Sequence, residues 1–394
     1  MLFELYDLDR EVFPMGKPKS PTLLLVLAVF FLGCSPPANV EQNRDSNHER
    51  TSATATPAEA TVVGFVYTAN EGENSISAID LSTGQVKTAP VRVTPHNIQV
   101  SRDGSLLLVV GSPATETGGH SDPQSHDAES GHGEGHGTER GRLLIIDPVT
   151  LDSEGAVGVE VGRSPAHVIA DPQGKLAYVT NGADDTVSVV DVAQRKVVRE
   201  IEVGDSPHGM RMRPDGSEIY VANTGDGSVS VIDVAAAKEG ARIPVGEAPV
   251  QVAFAPDSHR VYVSSSAGNS VSVVDTATRK QIASVPVGRK PIQLFVTPDG
   301  RYVYVANEGT KENPDNTTSV IDTRTNQVVA TVETGSGAHG VVVSDDGSRA
   351  FIANSIDSTV SVIDTATQKV TRNIKVGKGS GGISFRRANP VRTR

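Results

Sequence analysis

The sequence predicts an all-β fold, a seven-bladed β-propeller of four-stranded blades closed by a 3+1 seam of N- and C-terminal strands. Three observations predict it: one pattern returns seven times from Thr61 onward, each copy holds four short β-rich runs, and the chain begins and ends at complementary points of the pattern.

The pattern is clearest as "YVTNGADDTVSVVD" from Tyr178, "YVANTGDGSVSVID" from Tyr220, "YVSSSAGNSVSVVD" from Tyr262 and "YVANEGTKENPDNTTSVID" from Tyr304, at intervals of 42 residues. Further copies start at Phe351, Tyr67 and Leu108, and the third run of each copy ends in Asp80, Asp147, Asp191, Asp233, Asp275, Asp322 or Asp364. Within a copy, apolar runs too short for helices are separated by Pro-Asp-Gly, Asn-Thr-Gly and Asp-Val-Ala turn chemistry. One four-stranded sheet cannot cover both of its faces, so neighbouring copies must stack radially. "TVVGFVYTAN" supplies the second strand of a blade and "GGISFRR" the first, so both termini build one blade and no free edge remains.

Sevenfold recurrence assigns the repeated residues to blade construction. Tyr on the second strand is expected to pack between blades, the Asn after it to be a turn residue tolerant of left-handed dihedrals, and the seven Asp residues to form the turn before the fourth strand. The wording of the repeat resembles the YVTN family of bacterial and archaeal β-propellers, whose motif stands verbatim at Tyr178-Val179-Thr180-Asn181. The resemblance covers residues 61–386. It implies the fold and leaves function open, because propellers serve as binding scaffolds, lactonases, lyases and haem-binding oxidoreductases.

A formal charge of −11, from 36 basic and 47 acidic residues, gives no electrostatic basis for holding a nucleic-acid backbone. The single Cys34 excludes internal disulfides and a Cys-x-x-Cys-His haem attachment. "TLLLVLAVFFL", Thr22 to Leu32, follows Lys17 and Lys19 and has the length of a secretory signal core rather than of a spanning helix. Residues 1–33 are therefore expected to be a signal peptide with its start at Met15. "FLGCSPP" resembles a bacterial lipobox, which implies lipidation of Cys34 and a membrane anchor; Phe31 and Leu32 depart from the usual pattern. Residues 34–60 read as a disordered tether and 387–394 as a disordered tail. The expected location is the periplasm or cell surface, and the expected state a monomer.

Functional candidates lie where the copies differ. The segments leading into the first strand read "PHN", "PAH", "PHG", "PVQ", "PIQ", "AHG" and "SGG". They bring His96, Asn97, His167, His208, Gln251, Gln293 and His339 toward one mouth of the central channel, the expected place for a small ligand. The segment 112–141 is an insertion holding His120, His126, His132, Glu134 and His136, on the face that carries His96, His167 and His208. Imidazole and carboxylate suit Zn, Cu or Ni. Ordering the 17 residues from His120 to His136 would cost on the order of 20 kcal/mol, above the roughly 10 to 16 kcal/mol of a structural zinc site. The insertion therefore reads as a labile ion collector or a hydrophilic spacer, not a complete site.

Three function classes stay open. The preferred one is an envelope-anchored, non-catalytic propeller that binds a metal ion or an envelope protein at the channel mouth through His96, His167 and His208. The others are a propeller enzyme of lactonase or lyase type, and a haem-binding oxidoreductase resembling cytochrome d1 propellers. No Gly-x-Ser-x-Gly elbow marks a serine hydrolase.

Overall fold

The β-branched runs of each copy become four antiparallel strands, and seven such sheets form a ring. The computed structural model describes residues 62–114, 139–153, 156 and 158–388. The expected signal segment, Cys34, the tether, the insertion's His120, His126, His132, Glu134 and His136, and residues 389–394 lie outside them.

Blade 4 is representative, running outward from the axis as Pro207–Met212, Glu218–Asn223, Ser228–Asp233 and Lys238–Pro244. Its two middle strands are buried along almost their whole length, while the outermost alternates between exposed and covered. Middle strands are covered on both faces by neighbouring blades, so they read as continuous apolar runs. The core is accordingly divided: each blade junction holds a cluster of buried apolar side chains, as where Leu108, Val110 and Leu143 of blade 2 meet Val168, Val179 and Val190 of blade 3.

The seam closes as expected. The C-terminal strand Ser380–Arg387 takes the innermost place in blade 1 and pairs with Gly64–Asn70, followed outward by Ser75–Asp80 and Val86–Pro90. A cation–π contact of Arg386 with Phe65 and its hydrogen bond to the Tyr67 hydroxyl fasten the joint.

The repeated Asp residues form turns. Asp80 accepts from the Ser82 and Thr83 backbone, and Asp322 from Arg324 and Thr325. Four residues beyond each Asp the chain is left-handed, at Gly84, Leu151, Arg195, Ala237, Arg279, Asn326 and Gln368. Tyr packs between blades: Tyr67 donates to Pro148 O in blade 2, and Tyr304 to Gln368 in blade 7.

The repeated Asn behaves differently from the expectation. Asn70, Asn181, Asn223, Asn307 and Asn354 are fully buried and none is left-handed. Each amide donates to two hydroxyls on the neighbouring strand of its own blade, Ser228 and Ser230 in the case of Asn223. The preceding blade's Val-Gly lies against it: a Cβ on Gly204 would stand 2.4 Å from Asn223 Nδ2. The amide is thus a buried clamp, and the glycine is the close approach that it needs.

In blade 2 the second strand, Leu107–Pro113, and the third, Arg140–Ile146, take up both ends of the segment 112–141. Pro113 pairs with Val93 and Gly111 with Pro95. The chain therefore leaves for the insertion beside the segment that leads to His96.

Candidate functional site

Side-chain links join consecutive inner strands where the candidate residues stand. Thr180, the Thr of the verbatim motif, accepts from the His167 backbone N–H and donates to His208 O, joining blades 3 and 4 behind both histidines. Ser264 does the same between Gln251 N and Ile292 O, joining blades 5 and 6. Gly209 follows His208 because the next inner strand passes close by; a Cβ there would stand 2.4 Å from Val250 O.

His96, His167 and His208 converge, one from each of three consecutive blades, and offer ligand atoms that all lie within 4.8 Å of one another. Their ring centroids are 5.1 to 6.2 Å apart. The Nε2 atoms of His96 and His208 face each other at 3.2 Å. His96 Nδ1 donates to the Glu71 carboxylate at 3.0 Å, and His208 Nδ1 to the carbonyl of Val250 at 3.2 Å. A carbonyl only accepts, so Nδ1 carries the proton of a neutral His208, and the carboxylate imposes the same tautomer on His96. Two facing Nε2 lone pairs repel unless a proton or a metal cation lies between them. Nitrogens bound to one tetrahedral ion at about 2.0 to 2.1 Å stand about 3.3 Å apart, which is the observed spacing.

The third ring has a different environment. His167 is 1 % exposed, and burial, reinforced by the charges of His208, His96 and Arg211, holds its pKa well below the ordinary imidazole value. His167 is thus a neutral ring, the form that binds metal. Its Nδ1 lies 3.3 Å from Gln251 Nε2, and Gln251 Oε1 accepts from the Val252 backbone. Burial pulls the His96 pKa down, but the Glu71 carboxylate, by charge and hydrogen bond, outweighs it and leaves it raised.

The other predicted rim residues divide. His339 is not one of the three grouped rings, and its Nδ1 lies 2.7 Å from Glu308 Oε1. Gln293 is 3 % exposed. Asn97 turns into the joint between blades 2 and 3, where its side chain accepts from Val168 N. Sequence reasoning missed Glu71, Glu308 and Arg211. The signal for the two acids was present: only the copies at Tyr67 and Tyr304 carry Glu directly after the repeated Asn, and each Glu pairs with a His on the following blade.

Residues 172–305 match the family model described as Cytochrome D1 heme domain. No curated protein matches the chain in sequence. Among solved structures, the chain is similar to a hydrazine synthase chain of Kuenenia stuttgartiensis, at 22 % identity, with 74 % of this chain and 89 % of that one covered and a TM-score of 0.59. It is similar to a putative 6-phosphogluconolactonase of Bacteroides fragilis, at 15 % identity, covering 83 % and 99 %, TM-score 0.62. It is also similar to a dihydro-heme d1 dehydrogenase, at 13 % identity, covering 82 % and 75 %, TM-score 0.57. At these identities the likeness is one of propeller fold.

As packed, the three rings do not hold a haem between them: they lie against one another and two Nε2 atoms are 3.2 Å apart, which leaves no gap for a flat macrocycle. Of the three histidines, only His208 falls within the matched residues 172–305.

Proposed function

We propose that this protein is an exported, lipid-anchored propeller of the cell envelope that binds a divalent transition metal ion, Zn, Cu or Ni, at its channel mouth through His96, His167 and His208. The observation that carries this reading is the pair of Nε2 atoms 3.2 Å apart whose Nδ1 partners both accept hydrogen bonds. A carboxylate or carbonyl behind a ligating imidazole fixes its tautomer and raises its basicity, the usual backing of protein metal sites. For His167 to ligate through Nε2, the Gln251 oxygen has to leave the Val252 N–H and accept from His167 Nδ1 in place of the amide nitrogen that now faces it. The insertion with His120, His126, His132, Glu134 and His136 would collect ions beside the lead-in to His96. The match to the d1 haem domain favours a haem reading, which the packed histidines weigh against. The likeness to a lactonase-type propeller keeps a hydrolytic reading in view, and Glu71 and Glu308 are the acids such chemistry would need.

Calorimetric titration of Zn and Cu into the full chain, a variant lacking residues 115–138, and His96→Ala, His167→Ala and His208→Ala in that shortened background tests the proposal. One ion should bind the shortened chain, and each His variant should lose at least about tenfold in affinity. Absent binding, or equal affinity in all variants, would overturn it.

A further inference from the structure

One residue of blade 5 decides where the third histidine carries its proton. Gln251 stands at the second of the two lead-in positions, where the other copies carry Asn97, His167, Gly209, Gln293, Gly340 and Gly382. The strand pairing slips there, with Pro249 opposite Ser265 but Gln251 opposite Ser264, and a bulge of this kind re-aims side chains. The Gln251 backbone N–H donates to Ser264 Oγ, and its side chain is buried. That side chain passes blade 4 and reaches His167 of blade 3, 84 residues earlier. Gly209 of blade 4 makes room for it, since a Cβ there would stand 2.5 Å from Gln251 Oε1. The Val252 N–H fixes which way the amide faces. A backbone N–H only donates, so the atom 2.9 Å from Val252 N is the amide oxygen, and the amide nitrogen is the one 3.3 Å from His167 Nδ1. An amide nitrogen also only donates. His167 Nδ1 therefore accepts, and the proton of the neutral ring sits on Nε2.

A metal ion needs a ring nitrogen with its lone pair available. In His96 and His208 the acceptors Glu71 and Val250 O put the proton on Nδ1 and the lone pair on Nε2. In His167 the Gln251 amide takes the lone pair of Nδ1, and Nε2 carries the proton. Two ligands are thus preset and the third is withheld. Resting on the metal reading above, we infer that Gln251 is a positioning residue that gates the third ligand. When its amide turns end for end, the oxygen leaves the Val252 N–H and accepts from His167 Nδ1. One proton leaves Nε2 for solvent as another is taken up at Nδ1, so the ring stays neutral and Nε2 becomes a ligand. Opening the gate strips the Val252 N–H of this acceptor, which weakens metal binding by about tenfold or more.

Gln251→Glu tests this, because a carboxylate accepts at both ends, from the Val252 N–H with one oxygen and from His167 Nδ1–H with the other, and so holds the gate open. Nitrogen NMR of the metal-free, histidine-labelled full chain reads the tautomer directly, the His167 signals being those lost in His167→Ala. Nδ1 should be unprotonated in the parent and protonated in Gln251→Glu. In competition for Zn with a chromophoric chelator, Gln251→Glu should bind about tenfold or more tighter than the parent. The same change made in His167→Ala should gain little, which separates the gate from the mere charge of the new carboxylate. The insertion is common to all four chains, so differences among them belong to the mouth. A protonated Nδ1 in the metal-free parent, no gain in Gln251→Glu, or an equal gain without His167 overturns this inference and leaves the metal reading standing. Equal Zn affinity in the parent and in His167→Ala overturns the metal reading, and this one with it.

Discussion

Replacing Glu71 with Gln keeps the shape of the side chain and removes its charge from behind His96. The carboxylate is 3.0 Å from His96 Nδ1. Crossing the ring and adding a metal–nitrogen bond of about 2 Å puts it about 7 Å from a bound ion. A single and a double charge at that separation attract by about 1 kcal/mol in bulk water and about 5 kcal/mol at an effective dielectric of 20. Glu71 is 27 % exposed, which draws the value toward the lower end. The expected loss is about 10- to 100-fold in metal affinity, the range found when the partner of a ligating imidazole is removed. Competition for Zn with a chromophoric chelator, on the chain lacking residues 115–138 with and without Glu71→Gln, measures it. Unchanged Zn affinity in a variant of unchanged melting temperature would refute the argument that Glu71 supports a metal ligand.

Three further predictions concern the scaffold. Gly204→Ala drives a Cβ to 2.4 Å from Asn223 Nδ2 and from Asp226 Oδ2; denaturant unfolding should register a loss of about 1 to 3 kcal/mol. Ala237→Gly relieves a left-handed residue at φ 49° but gives up a partly buried methyl packed on the junction of blades 3 and 4, and should stabilise by at most about 1 kcal/mol in the same assay. The turn carboxylates Asp80, Asp147, Asp275 and Asp322 are held below their ordinary pKa by hydroxyl and backbone donors, Ser82, Thr150, Thr278 and Thr325 in turn. A depressed carboxylate stabilises the fold fully above its unfolded pKa of about 3.9, and that stability is lost as pH falls through the folded value. Melting temperature should therefore change little on account of these groups from pH 7 to 5 and drop below pH 4; a flat profile down to pH 2 would exclude the turns as its source.

Much of the site was legible, and what was missed follows a rule. His96, His167 and His208 could be picked out because a repeat makes deviation visible: His96 and His208 stand where other copies carry Ala166, Val250, Ile292 or Gly381, and His167 where others carry Asn, Gln or Gly. Asn97 satisfied the same criterion, at the position that His167 holds one blade later, and yet its side chain is taken up by the joint, where it accepts from Val168 N. The repeated Asn was misjudged for a related reason. Its residue type permits a left-handed turn, but the hydroxyls of the neighbouring strand and the glycine of the preceding blade turn it into a buried clamp.

By itself the sequence determined the four-strand unit, its sevenfold return and the closing seam, because alternation, turn chemistry and repeat phase are local properties written at fixed spacing. Tertiary structure alone decided that His96, 71 residues before His167 and 112 before His208, would share one mouth with them at 3.2 Å between Nε2 atoms. It also decided that Glu71 would stand behind one ring and Val250 O behind another. Those relations depend on the angle and height at which neighbouring blades stack, and these are set by packing at every junction of the ring rather than by any one segment of the chain.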